Sequence, residues 1–301
     1  MVKIAHHPVY AHPLPEGHRF PMLKYELIPE QLLYEGVVTE ANFFAPEPLE
    51  EEIILLTHQA GYWLQLKTLT LPLKEQRRIG FPLSALLVER EIRIAKGTIT
   101  AALYAIQTGI AFNVAGGTHH AGSDWGEGFC LLNDQAIAAN YLLSRNLANR
   151  ILIIDLDVHQ GNGTAEIFAQ EQRVFTFSMH GEKNFPFRKE SSDLDIGLDN
   201  GTGDEEFLSI LSAELPRIFT LHQPDFVFCL SGVDVLGSDK LGKLALTKAG
   251  CRERDRIVLQ YCKAHKVPVQ VSMGGGYSPV IKDIIDAHCH TFKTGLELFA
   301  G

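Results

Sequence analysis

The stretch Arg150–Gln170, "RILIIDLDVHQGNGTAEIFAQ", decides the fold. An apolar run ends in Asp155, Asp157 and His159 at two-residue intervals, passes through the glycines of "HQGNG" and resumes as a helical pattern in "GTAEIFAQ". A run of Ile and Leu without polar alternation reads as a strand buried on both faces, as in a parallel sheet covered by helices. On a strand, residues i, i+2 and i+4 share a face, so Asp155, Asp157 and His159 are expected to address one point. Ionised carboxylates there are costly unless a cation or several hydrogen bonds compensate them. Taken alone, the motif fits a solvated strand end as well as a metal site, and the rest of the chain separates the two.

Working outward, "IAFNVAGG", "RVFTFSMH", "DFVFCLSGVD" and "VPVQVSMGGG" read as further strands, and "KIAHH" as another near the start. Between them lie helical patterns in "NDQAIAANYLLSRN", "DEEFLSILSAELPRIFTLHQ" and "TKAGCRERDRIVLQYCKAHK", with a last helix in "SPVIKDIIDAHCHTFKTGLELF". A long helix is expected in "SALLVEREIRIAKGTITAALYAIQTG", and a polar loop through "NGTG". Strands alternating with helices imply βαβ crossovers. The predicted fold is therefore α/β: one domain over residues 1–301, an open, mostly parallel sheet with helices on both faces. The strand order is not legible at this level.

Bulk composition narrows the partners. Lys plus Arg number 27 against 36 Asp plus Glu, a formal net charge of −9, which argues against nucleic acid or an anionic membrane as partner. The N-terminal "MVKIAHHPVYAHP" lacks a signal peptide's apolar core, and no apolar run is long enough to span a bilayer. Cys130, Cys229, Cys251, Cys262 and Cys289 form no C-x-x-C pair, which argues for reduced thiols in a cytoplasmic setting and against a thiolate zinc site.

His119 and His120 follow one strand, Asp155 to His159 end a second, Asp234 ends a third and Gly274–Tyr277 a fourth. The carboxyl ends of parallel strands share one edge, where ligand crevices form. Asp157 or Asp155, His159 and Asp234 thus supply carboxylates and an imidazole with a position left open, the layout of a catalytic zinc site; iron, manganese or cobalt also suits oxygen-rich donors. If Asp157, His159 and Asp234 take the metal, Asp155 is free to support a histidine. The glycines of "AGGTHHAGSDWGEGFC" allow both imidazoles to face one pocket, one as general base. Tyr277, after three glycines, is placed to donate to a developing oxyanion. Phe129, Phe185 and Phe187 are candidates to line a channel, and His6, His7, His12 and His18 to rim it, although loop aromatics and histidines more often simply pack.

Taken together, "GGTHHAGSDWGEGFCLLND", "IIDLDVHQGNGTAEIF", "SGVDVLGSDKLGKLALTKAG", "MGGGY" and "HPLPEGHRFPMLKY" resemble the zinc-dependent histone deacetylase family, on the arginase/deacetylase fold. The details are most similar to its class IV, histone deacetylase 11-like branch and bacterial relatives. The resemblance implies a hydrolase that removes an acyl group from lysine. Zinc would sit on Asp157, His159 and Asp234, and water activated there would attack a carbonyl polarised by Tyr277. His120 would be base and then acid, with His119 paired to Asp155. Gly128, Phe129, Phe185 and Gly275 would line the acyl-lysine channel. A structural potassium or sodium ion would use Asp155, Ser178 and Met179 with backbone carbonyls of Asp157 and His159.

Asn162 stands where class I members carry an aspartate behind the second histidine. It cannot supply that charge, so His120 should be less basic. This implies weak turnover on acetyl-lysine or a preference for another acyl group, long fatty chains being known among class IV relatives. Other readings are a deacetylase of polyamines or small metabolites, a metal-free hydrolase, and a non-catalytic acyl-lysine or metal-binding module. The module is disfavoured by the joint presence of the ligands, both histidines and Tyr277. An arginase-like two-manganese site wants more bridging carboxylates than this set supplies. Oligomeric state is not legible.

Overall fold

The protein, described over residues 1–299 by a computed structural model, is built on one eight-stranded sheet. Its strands are β1 (Lys3–Ala5), β2 (Phe43–Phe44), β3 (Ile110–Asn113), β4 (Ile151–Asp155), β5 (Val174–Gly181), β6 (Leu194–Leu198), β7 (Phe226–Leu230) and β8 (Val269–Ser272). They run in the order β2-β1-β3-β8-β7-β4-β5-β6, and every neighbouring pair is parallel. The four central strands β3, β8, β7 and β4 are buried at each residue; β4 and β7 accordingly read as apolar runs, whereas β8 carries the buried polar residues Gln270 and Ser272.

Helices cover both faces. Phe112 and Asn113 are consecutive on β3 and point to opposite sides of the sheet. A Cβ at Gly97, in helix Ala85–Thr108, would come 3.0 Å from Asn113 Nδ2, and one at Gly295, in helix Ile281–Phe299, would collide with the Phe112 ring. Glycine at each position lets one helix approach β3 from each side. Side-chain caps start the helices where expected: Ser84 accepts from Leu87 N–H (3.1 Å), Asn133 from Ala136 N–H (3.0 Å) and Thr247 from Gly250 N–H (3.0 Å). Among the described residues no helix is long and apolar enough to cross a membrane.

Three expectations need correction. β4 ends at Asp155, so Asp157 and His159 lie in bends beyond it and not on a strand face. β7 likewise ends at Leu230, four residues before Asp234. The supposed polar loop before "NGTG" contains β6, and β2 is a second strand missed. Both are the sheet's edges, where half-exposed residues and short length leave little apolar signal.

The loops after β4 and β7 are clamped from beneath by Arg254, which is fully buried in helix Lys248–His265. Its guanidinium donates to Leu156 O (3.1 Å), Gly232 O (2.6 Å) and Ser231 Oγ (3.0 Å), and it pairs with Asp255 at 2.8 Å. Asp255 also accepts from Ser231 Oγ (2.5 Å) and Thr291 Oγ1 (2.6 Å). Arg254→Ala is expected to lower the unfolding free energy by about 3–5 kcal/mol, because Asp255 is left buried without its cation. Urea denaturation checks this, and a loss near zero would show that the clamp is not needed.

Candidate active site

Beyond β4 the sheet ladder gives out, and side-chain carboxylates take over as acceptors. Asp157 N–H donates to Asp155 Oδ1 (3.1 Å), Val158 N–H to Asp234 Oδ1 (3.0 Å) and His159 N–H to Asp157 Oδ1 (3.0 Å). Gly275 N–H, from the loop after β8, donates to Asp157 Oδ2 at 2.8 Å. Asp157, His159 and Asp234 each present one donor atom within 4.8 Å of the others. Asp155 points elsewhere, so the regular two-residue spacing does not aim all three groups at one point.

These three residues fit a divalent cation. Asp234 Oδ2 is buried and has no hydrogen-bond partner, lying 3.3 Å from His159 Nδ1, which is 3.0 Å from Asp157 Oδ1. A Cβ at Gly275 would collide with Asp234 Oδ2, so only glycine leaves this edge of the cluster open. Burial and the neighbouring Asp157 charge push Asp234 up to about 7. Burial opposes charge on His159, but its bond to Asp157 and the close carboxylate of Asp234 outweigh it and push the imidazole up to about 10. Carboxylates crowded this closely are relieved by a cation between them.

Asp134, at the start of helix Asp134–Ser144, pins the loop carrying the adjacent histidines: it accepts from Thr118 N–H (2.9 Å), Thr98 Oγ1 (2.6 Å) and Ser272 Oγ (3.1 Å). His119 and His120 lie side by side, ring centroids 4.1 Å apart. His119 Nδ1 bonds to Asp155 Oδ2 at 2.6 Å; burial disfavours its charge, but the carboxylate prevails and raises its pKa. His120 Nδ1 bonds to Asn162 Oδ1 at 2.7 Å, and Asn162 Nδ2 donates to Glu127 Oε1 at 2.6 Å. Glu127 therefore orients the amide so that its oxygen faces His120, placing the imidazole proton on Nδ1 and the lone pair on Nε2. Arg78 Nε holds the other Glu127 oxygen at 2.6 Å. Burial, then the neighbouring His119 and His159, keeps His120 well below the usual imidazole range.

Two connected spaces reach this cluster. An inner cavity of about 40 Å³ is bounded by His119, His120, Asp157, His159, Arg90 and Tyr277, among others. A funnel of about 330 Å³ opens outward between Phe129, Phe185 and Tyr277. Phe185 meets the His120 ring edge-on at 5.0 Å. Tyr277 N–H donates to Asp239 Oδ2 at 2.6 Å, which anchors the backbone that carries the phenol, and burial next to Asp234 and Asp157 keeps that phenol protonated.

The expected residues thus mostly converge. Gly128, Phe129 and Gly275 border the inner cavity, while Asp155 and Asn162 stand behind the histidines. Ser178 and Met179 lie outside both spaces on β5, Ser178 opposite Asp155 in the sheet register and bonded to His180 (2.9 Å). Phe187 stands at the funnel mouth, 92% exposed. His6 packs on Phe43, His7 caps Val9 N–H, and His12 and His18 pack on Phe81; none of the four borders the inner cavity or the funnel.

Four contributors escaped the sequence reading. Glu127 and Asp239 sit inside the quoted motifs, where a lone carboxylate among glycines was the available signal. Lys24 and Arg90 also lie in quoted segments, but a single cation in an apolar or helical pattern carries no signal of burial. Lys24 is fully buried, donates to Gly274 O at 3.0 Å, and is pushed by burial down to about 8 despite Asp234 and Asp157 nearby.

A parallel sheet with a carboxylate–imidazole cluster beyond the carboxyl ends of its strands defines an α/β protein whose donor set suits a divalent cation. Residues 18–292 match the family model described as "Histone deacetylase domain", and the chain belongs to that family. An uncharacterized protein of Picosynechococcus sp. is 46% identical over 98% of this chain and 99% of its own length. Histone deacetylase 2 of Arabidopsis thaliana is 28% identical over 89% of this chain and 73% of its own; human histone deacetylase 1 is 34% identical over 64% of this chain and 40% of its own. An HDAC homolog solved in complex with SAHA superposes with TM-score 0.83 at 25% identity, covering 99% of this chain and 84% of that one. An HDAC homolog from Aquifex aeolicus shares the fold, with TM-score 0.83 at 24% identity over 99% of this chain and 84% of that one.

Because burial and crowding push Asp234 up to about 7 and the adjoining carboxylates push His159 up to about 10, a cation entering the cluster displaces protons. Zinc affinity is expected to rise from pH 6 to pH 8, with proton release seen as a buffer-dependent enthalpy in calorimetry. Binding that neither releases protons nor changes over that range would contradict the assignment.

Proposed function

We propose that this protein hydrolyses the amide of an acylated lysine in a polypeptide, using zinc on Asp157, His159 and Asp234. The observation that carries this reading is the placement of His120: its ring lies 5.8 Å from that of His159, its Nδ1 is engaged by Asn162, and it stands at the floor of a phenylalanine-lined funnel. When bound, the metal would supply Lewis acidity, polarising the acyl carbonyl and lowering the pKa of water. Phe129 and Phe185 hold the lysine methylenes between them. His120 Nε2 takes a proton from the attacking water and returns it to the departing lysine nitrogen. The amide C–N bond breaks, the water oxygen ends in a carboxylate, and the lysine leaves as an amine. Tyr277 donates its phenolic hydrogen to the carbonyl oxygen as charge develops there. His119, steadied by Asp155, adds positive potential beside that oxygen.

The class IV reading rests on Asn162 and on "DLDVHQGNG" and "GSDKLGKLALT". Glu127 places a carboxylate one residue further out, behind Asn162, and softens the loss of charge that the asparagine alone implies. A potassium or sodium ion beside Asp155 and Ser178, near Met179, would compensate the buried Asp155 carboxylate. Five free, buried cysteines support a reducing, cytoplasmic setting. The inner cavity, about 40 Å³, holds two or three waters or a methyl group and supports a short acyl chain over a fatty one.

Tyr277→Phe is expected to lower kcat on an acetyl-lysine peptide about 10²–10³-fold with zinc content unchanged, the scale of losing one oxyanion donor. Full turnover in that variant, or activity that survives chelation, would overturn the reading. Asn162→Asp should raise the His120 pKa; since only neutral His120 accepts a proton, the acid limb of kcat/KM then moves to higher pH. A pH profile that stays in place would sever that link. Acetyl-lysine should be cleaved faster than myristoyl-lysine in the same peptide, as read by mass spectrometry of the products.

A further inference from the structure

The mouth of the funnel has a charge opposite to that of the chain. Although the protein carries a net −9, Arg19, Arg78, Lys183 and Lys243 line the funnel, and no Asp or Glu among the described residues does. These cations come from separate segments, with Arg19 after β1, Arg78 in the last turn of helix Leu73–Ile79, Lys183 after β5 and Lys243 after β7, so they surround the opening. Arg78 is answered by Glu127. The other three are not directed at carboxylates in the funnel wall: Arg19 lies over the Phe129 ring at 5.0 Å, and Lys243 Nζ donates to Lys183 O at 2.7 Å, which holds its ammonium at the rim. The exposed ring of Phe187, 6.4 Å from Phe185, adds an apolar shelf beside them.

We infer that this mouth selects acyl-lysine set in an acidic stretch of polypeptide and turns away acylated polyamines and lysine-rich tails. The inference rests on the amide hydrolysis proposed above and names its substrate class. An acylated lysine side chain is neutral and enters without charge, so selection falls on whatever surrounds it. An acetylated polyamine keeps at least one ammonium a few methylenes from the amide. With the amide at the metal cluster, that ammonium would lie in a recessed opening already lined with cations, where low-dielectric walls strengthen repulsion. Aspartate or glutamate flanking the acyl-lysine would instead meet Lys183, Lys243 and Arg19. Such complementarity works chiefly on encounter and on rejection of wrong partners.

The test compares kcat/KM of the zinc-loaded protein on acetyl-lysine peptides of one length with acidic, neutral or basic flanks, and on N-acetylputrescine. The acidic peptide should exceed the basic one by about tenfold or more at low salt, with the gap closing as salt rises. Lys183→Glu combined with Lys243→Glu should reverse the order. Equal rates across the three flanks, or N-acetylputrescine as the best substrate, would overturn the inference and leave amide hydrolysis standing. Fluorescence anisotropy with the same peptides reads the mouth apart from turnover. Charge-ordered binding without any hydrolysis would keep the acidic-peptide preference and discard the hydrolase reading, whereas charge-independent binding would discard the preference itself.

Discussion

Two carboxylates, Asp157 and Asp234, are 1% and 0% exposed in the loops that follow the neighbouring strands β4 and β7, and much of the site follows from how that burial is compensated. Each spends one oxygen on backbone N–H groups of the segment after β4: Asp157 Oδ1 on His159, Asp234 Oδ1 on Val158. These bonds replace the sheet ladder where it stops and shape the turn that presents His159. What remains unpartnered is Asp234 Oδ2, facing His159 Nδ1. A buried carboxylate oxygen without a donor is costly unless a cation supplies the missing charge. The same atoms thus fold the loop and create the demand for metal.

That arrangement survives only if the loop backbones cannot drift, and Arg254 addresses this from below. By donating to carbonyls on both sides of the crevice, at Leu156 and Gly232, it ties the β4 loop to the β7 loop. Its own charge is balanced by Asp255, so one buried pair serves as a positional clamp. Buried pairs are poor sources of net stability but strong determinants of geometry once formed. Here the geometry is the separation of three donor atoms.

The histidines show a second use of layered hydrogen bonding. His119 rests directly on a carboxylate, whereas His120 reaches one only through Asn162 and Glu127. The inserted amide passes orientation inward while keeping full negative charge a residue away. The imidazole is thereby held in one tautomer with little lift in basicity, as a neutral base requires. The outer carboxylate is held by Arg78, at the cationic mouth, so the opening and the base share one chain of contacts.

Much of this was legible in the chain. Apolar runs marked β4 and β7 most clearly, because a doubly covered parallel strand favours apolar residues on both faces, and the clustering of polar residues at the carboxyl ends of the strands followed from parallel topology alone. Edge strands β2 and β6 were not legible, since pairing with one neighbour defines them and their composition resembles a loop. The even spacing of Asp155, Asp157 and His159 pointed to one face of a strand; the tertiary structure instead separates Asp155, because the segment's own carboxylates and Asp234 from the loop after β7 take its N–H groups and bend the backbone. By itself the sequence determined the residue types, their order and their common edge. Only the tertiary structure decided that Glu127 stands behind Asn162, that Lys24 and Arg90 are buried beside the site, and that an acidic protein gathers cations around its opening. Those facts depend on which distant segments meet, and local patterning carries no record of it.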